Sequence, residues 1–154
     1  MTTTAPIPPG FHSVTPYLVV KGAAEAIEFY RAAFDADEVY RHTCEQSGLV
    51  TNAQLRIGNS MLMLNDEFPD MGCFGPSETN ASPVTIHLYV EDADAVFDRA
   101  VAAGASVQMP VSDMFWGDRF GVVQDPYGHK WSIATRTEEL APDQIAERAK
   151  DFFG

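Results

Sequence analysis

His87, at the centre of the run TIHLYV, is a candidate for acid-base chemistry, because an imidazole titrates close to neutrality and can take or give a proton. Side chains alternate along an extended strand, so His87 shares a face with Thr85 and Tyr89, while Ile86, Leu88 and Val90 point the other way. The run TPYLVV, which begins at Thr15, repeats the pattern: Thr15 and Tyr17 share a face opposite Leu18 and Val20. The aliphatic face belongs under a packed helix. The polar-aromatic face suits a small-molecule cavity, and it equally suits solvent; alternation alone leaves both open. A lone histidine on such a face serves as a base, or simply as a hydrogen-bonding and packing residue.

The second constellation is MFWGDRFG, residues 114–121. Phe115 and Trp116 are large apolar groups in a stretch that otherwise reads as a loop. Either Trp116 pins the loop to the edge of a sheet, or the two rings form the wall of a pocket and stack on a planar guest. Asp118 and Arg119 can pair with each other or with the polar edge of that guest; a guanidinium binds a carboxylate or phosphonate in bidentate fashion. Asp66 and Glu67 either reach the same cavity or are solvated loop acids.

Other chemistries lack their spacing. His12, His42, His87 and His129 form no HxH or HxxxH pair. Ser132 and His129 are too close in sequence for a nucleophile and its base, and there is no GxSxG elbow. The glycines around Gly58-Asn59-Ser60 form no phosphate loop. Cys44 and Cys73 have no CxxC spacing and read as free thiols of a reducing compartment. Ten basic against 22 acidic residues give a net charge of −12, which repels a phosphate backbone and argues against nucleic acid as a partner. No apolar stretch approaches the roughly 20 residues of a membrane span. The N-terminus MTTTAPIPPG has no leader pattern, so a cytoplasmic location and no membrane partner are expected.

The elements that must position these residues come as a duplication. Residues 15–36 align without a gap on residues 85–106, with identities at Thr15/Thr85, Leu18/Leu88, Val20/Val90, Ala23/Ala93, Ala32/Ala102 and Ala33/Ala103. Each copy is an apolar run followed by a helical pattern: Ala23, Ala26, Ile27 and Tyr30 in the first, Ala93, Val96, Phe97 and Ala100 in the second. Asp92 is a plausible N-cap for the second helix and Gly104 its terminator. Strands are expected at about 37–44, 49–57 and 60–65, and again at about 106–109, 118–124 and 130–134, with Asp125-Pro126-Tyr127-Gly128 a turn. The unit is β-α-β-β-β, written twice. This gives an N-terminal arm 1–12, a first module 13–65, a linker or lid loop 66–82, a second module 83–135 and a C-terminal segment 136–154 with an amphipathic helix from about 141 to 153.

The paired modules, the opening VKGAAEAIEFYRAAF and the segment MFWGDRFGVVQDPYGHKWSIAT resemble the vicinal oxygen chelate superfamily of glyoxalase I, extradiol dioxygenases and bleomycin-resistance proteins. Within it the chain is most similar to the PhnB-like branch, over residues 13–135. The resemblance implies an α+β fold in which two βαβββ modules form a curved mixed sheet around a ligand cavity. In the metalloenzyme members, four strands supply His, Glu or Gln to a divalent ion. Those positions fall here on Thr15, Thr85, Leu62 or Met63, and Ser132, none of which is a competent ligand set. The expectation is therefore a binding protein without metal or cofactor, holding an aromatic or amphipathic small molecule. Its ligand-binding residues are Thr15, Tyr17, Leu62, Thr85, His87, Tyr89, Phe115, Trp116, Arg119 and Ser132. The alternatives are a glyoxalase-like lyase, isomerase or dioxygenase, using a metal held elsewhere or His87 as a metal-free base, and a structural or regulatory partner of another protein. The superfamily also implies a homodimer, with Phe152 and Phe153 of the closing helix either docking on a partner or covering their own subunit.

Overall fold

The computed structural model describes residues 3–153; the first two residues of the expected arm and Gly154 of the C-terminal segment lie outside the described residues. The chain forms two compact units, one up to Ala81 and one from Ser82. Each contains one βαβββ module, so the fold is α+β.

The first unit runs β1 (Tyr17–Val20), α1 (Ala23–Phe34), β2 (Asp37–Thr43), β3 (Val50–Ile57) and β4 (Ser60–Asp66). Its sheet has the order β1-β4-β3-β2, with β1 parallel to β4 and the other pairs antiparallel. The periodic residues of α1 behave as their spacing requires: Ala26, Ile27, Tyr30 and Ala33 are fully buried, as are Val20, Leu55 and Leu64 of the sheet. Each large aliphatic side chain so buried contributes roughly 1.5 to 3 kcal/mol.

Asp66 holds this unit's helix to its sheet. Its Oδ1 accepts from the backbone N–H of Gly22 and Ala23 (3.1 and 2.7 Å), and its Oδ2 from that of Val50 (2.7 Å). The first contacts satisfy amides at the start of α1, which have no partner inside the helix. Asp66 is thus neither a solvated loop acid nor a pocket group; it is 7% exposed and fully engaged. Beyond it, Phe68 and Cys73 pair backbone to backbone, and Gly75 lies so close to β1 that a Cβ there would stand 2.7 Å from the carbonyl oxygen of Val19. The first part of the 66–82 loop is therefore folded onto its own sheet.

The second unit repeats the plan with β5 (Thr85–Tyr89), α2 (Ala93–Ala103), β6 (Ser106–Asp113), β7 (Asp118–Gln124) and β8 (Lys130–Arg136), followed by α3 (Pro142–Phe153). Its order is β5-β8-β7-β6, with β5 parallel to β8. Asp92 caps α2 by accepting from Ala95 N–H at 3.1 Å, and Gly104 ends the helix. Phe97 of α2 packs on Gly121 of β7, where an added Cβ would stand 3.0 Å from the ring and 2.8 Å from Val111.

Strand β6 runs four residues beyond the expected end at Met109. Pro110 lies in an irregular stretch of register between Met109 and Ser112, where its missing N–H does not interrupt the ladder. The Asp125-Pro126-Tyr127-Gly128 turn is also built by a carboxylate. Asp125 accepts from the N–H groups of Tyr127 and His129 and from the indole of buried Trp131, each at 2.9 Å. Among the described residues, no helix is long and apolar enough to cross a membrane.

Candidate functional site

One face of the second sheet lies against α2; the other carries most of the candidate site residues of this unit. Gly121 meets Phe97 of α2, so Arg119, Gly121 and Val123 look toward the helix, and Asp118, Phe120 and Val122 look away from it. Cross-strand register extends the assignment: Phe120 stands opposite Ala134, Val122 opposite Ser132, and Ser132 opposite His87. The open face thus gathers Thr85, His87 and Tyr89 from β5, Ser132 from β8, and Phe120 and Asp118 from β7.

The side chains on this face are tied to one another. His87 Nδ1 and Ser132 Oγ are 2.6 Å apart, with Ser132 buried beneath the ring. The His87 ring meets Tyr89 edge-on at 4.6 Å and stacks with Phe120 at 5.9 Å. Phe120 meets Trp116 at 5.3 Å, and Trp116 meets Phe115 at 5.0 Å, both edge-on. Phe115 in turn touches Phe152 and Phe153 of α3 at 5.2 and 5.7 Å. The result is a continuous strip of rings from Tyr89 to the last turn of α3.

Asp118 is the polar centre of the strip. Its Oδ2 accepts from the indole N–H of Trp116 at 2.9 Å and from the hydroxyl of Tyr89 at 3.1 Å. The Tyr89 phenol is held above its ordinary range, first by desolvation of the hydroxyl and then by the bond to a carboxylate, which favours the protonated form. The Tyr89 side chain as a whole remains 65% exposed, so its ring is open while its hydroxyl is engaged.

The loop presenting Trp116 is a three-residue hairpin between β6 and β7. Met114 N–H donates to the Asp118 carbonyl at 2.8 Å and Gly117 N–H to the Met114 carbonyl at 3.0 Å. Gly117 has φ 95°, the left-handed position that this loop length calls for. Its carbonyl accepts from the backbone N–H groups of Thr137 and Glu138, which ties the hairpin to the chain after β8. Trp116 therefore does hold the loop, through Asp118, and it also presents a half-buried ring to the open face.

Two expected site residues stand elsewhere. Arg119 does not pair with Asp118: it looks toward α2 and binds Asp94 through Nε and Nη2, both at 3.0 Å, with a longer contact to Asp113. The alternation of β7 separates it from its neighbour. Asp94 is held below the usual carboxylate range and Arg119 above its own, chiefly by this bond. Leu62 is 4% exposed and shares a strand face with Leu64 and Asp66, the face that holds α1; Met63, opposite Tyr17, takes the place that Ser132 takes opposite His87. Thr15, Tyr17 and Leu62 all belong to the first unit. Thr15 precedes β1, and the Tyr17 hydroxyl accepts from Asn52 at 2.9 Å. Thr85 opens β5 and is exposed.

Phe120 and the acceptor role of Asp118 were not anticipated. Alternation through DRFGVV, applied as it was to TIHLYV, puts both on the open face.

The superfamily's metal positions fall on Thr15, Thr85, Met63 and Ser132, which offer hydroxyl and thioether groups. Among the described residues, no three His, Cys, Asp or Glu side chains lie where they can hold a metal. This donor set does not fit a catalytic divalent ion.

A profile of the Glyoxalase/Bleomycin resistance protein/Dioxygenase superfamily matches residues 10–133. The chain belongs to this superfamily. An uncharacterised protein of Mycobacterium tuberculosis is 48% identical over 137 residues, covering 86% of this chain and 79% of that one. The X-ray structure of an Arabidopsis thaliana gene product is 29% identical with a TM-score of 0.65, covering 80% of this chain and 98% of the other. A PhnB protein from Bacillus cereus, described as a putative 3-demethylubiquinone-9 3-methyltransferase, is 22% identical with a TM-score of 0.64, covering 80% and 99%; its likeness is one of fold. The chain and these solved structures thus share the fold.

Proposed function

We propose that this superfamily member is a metal-free binding protein that holds an aromatic or amphipathic small molecule against the open face of its second sheet. The observation that carries the reading is the strip of rings His87, Tyr89, Phe120, Trp116 and Phe115 around one carboxylate. Aromatic faces stack on planar guests, and a few placed polar groups orient them. Thr85 and Ser132 complete the face in the second unit. Trp116 supplies the test, since the only other tryptophan, Trp131, is 1% exposed. Planar probes should quench Trp116 fluorescence and raise the melting temperature. Quenching that persists in Trp116→Phe would remove this face from the site.

One observation favours a catalytic second reading. In the tautomer whose Nδ1–H donates to Ser132 Oγ, Nε2 carries the lone pair of a general base, and no hydrogen bond occupies it among the described residues. A binder loses modest affinity in His87→Ala, whereas a lyase or isomerase loses turnover. We further propose a cytoplasmic homodimer: both cysteines are free, and α3 is amphipathic with no buried residue of its own. Light scattering on the purified chain tests the dimer.

A further inference from the structure

Among these rings stands a carboxylate that forms no ion pair among the described residues. Asp118 is 4% exposed. Both of its hydrogen bonds from neutral donors, Trp116 and Tyr89, fall on Oδ2. Its Oδ1 has no partner among the described residues, and since none of their fully buried side-chain polar atoms is unpartnered, Oδ1 is the part of Asp118 that remains open. Neither of the two arginines nearest along the strands forms an ion pair with Asp118. Arg119 looks toward α2 and is bound by Asp94 and Asp113. Arg136, whose Cα is opposite that of Asp118 on the same face of the sheet, acts on the Tyr89 hydroxyl through space, but its guanidinium is largely exposed and its one ion-pair contact is with Glu139, at 4.0 Å. Withdrawing an ionised carboxylate from water without a paired counter-charge is costly, and two neutral donors offset only part of that cost.

The surroundings favour one kind of counter-charge. The π faces of Trp116, Tyr89 and Phe120 attract cations through their quadrupoles, most strongly where water is partly excluded. A neutral guest leaves Oδ1 unanswered, and an anionic guest meets a like charge.

We propose that the guest is a cation, a protonated amine or quaternary ammonium carried on a planar or apolar body, met by Asp118 Oδ1 and the rings of Trp116 and Tyr89. The proposal rests on reading this face as the ligand site and names the ligand's charge. Asp118 then sets specificity: its Oδ2 fixes the two rings and its Oδ1 selects the guest.

Three probes of similar shape separate the possibilities: N-methylquinolinium, a permanent cation; quinoline at mildly alkaline pH, neutral; and 2-naphthoate, an anion. Binding is read from Trp116 fluorescence and calorimetry at about 0.5 M salt, where a Debye length of roughly 4 Å suppresses general attraction to an acidic protein. The expected result is that N-methylquinolinium binds about tenfold tighter than quinoline, with naphthoate weakest, and that the preference disappears in Asp118→Asn. Equal affinities, or a preference for the anion, overturn the charge assignment while leaving the aromatic face as a site. A cation preference that survives in a folded Asp118→Asn overturns the role of Asp118. Should that variant not fold, the wild-type ranking of the three probes decides. If no probe perturbs Trp116, the binding reading itself fails, and this proposal with it.

Discussion

Trp116 donates its indole N–H to Asp118 Oδ2 at 2.9 Å, across the single intervening residue Gly117. Asp118 is the first residue of β7 and Gly117 the left-handed member of the hairpin, so the turn aims the indole at the strand that follows it. The bond reconciles two readings of Trp116, as a pin for the loop and as a wall of the site. Trp116→Phe keeps an aromatic ring and removes the N–H. It should cost about 1 kcal/mol in urea unfolding, the net worth of one hydrogen bond, with Trp131 fluorescence still reporting a folded core. A loss several times larger would make the residue chiefly structural.

Gly117→Ala tests the hairpin itself. A Cβ there stands 3.0 Å from the Glu138 carbonyl oxygen, on a backbone with φ 95°. Strain and contact together should cost about 2 kcal/mol and weaken probe binding more than Trp116→Phe does, because the whole turn shifts. An alanine variant as stable as the wild type would show that the turn has an alternative geometry.

Asp66→Ala should be among the most destabilising single changes outside the apolar core. It leaves three backbone N–H groups, those of Gly22, Ala23 and Val50, without their acceptor. The expected cost is about 3 kcal/mol, seen as a lower urea midpoint at unchanged slope.

How far the sequence carried this picture depended on range. The duplication, the two module helices and the caps Asp92 and Gly104 rest on local periodicity and turn chemistry, which a linear chain displays openly. His87 and Tyr89 were assigned a common face by alternation, and that inference survives because β5 has no bulge. Arg119 shows the opposite case: a strand was expected from Asp118, but pairing Asp118 with Arg119 left out the alternation that puts neighbouring residues of β7 on opposite faces. Leu62 against Met63 was a question of register, which pairing with β1 decides and no single strand reveals. Asp66 read as a cavity group or a solvated loop acid, Asp118 as a partner of Arg119 or of the guest, and Asp125 as part of a turn. Their buried roles depend on donors between two and 44 residues away.

The ion pair of Asp94 with Arg119 has a defined acid limb. Because the guanidinium holds the Asp94 carboxyl below its unfolded value, the folded state gains stability from this group above the ordinary aspartate pKa. That gain is lost as pH falls through the lowered folded pKa. Wild type should therefore be more stable than Asp94→Asn near neutrality, with the difference narrowing below about pH 4 and shrinking with added salt, since the pair is exposed. A difference that is flat from neutral pH down to about pH 2 would mean that the pair contributes through packing rather than charge.

Metal loading addresses the departure from the metalloenzyme pattern directly. Hydroxyl and thioether groups at Thr15, Thr85, Met63 and Ser132 give a divalent ion no anionic or imidazole donor, and a bound ion would have to keep most of its water. His87 stands beside Ser132 but its Nδ1 is engaged, so it offers one nitrogen at most. Incubation with Zn, Ni, Mn or Fe salts followed by desalting should leave far less than one equivalent by elemental analysis, and planar probes should bind alike before and after chelator treatment. Retention of close to one equivalent, lost in His87→Ala, would instead place a metal on this face and make His87 its ligand.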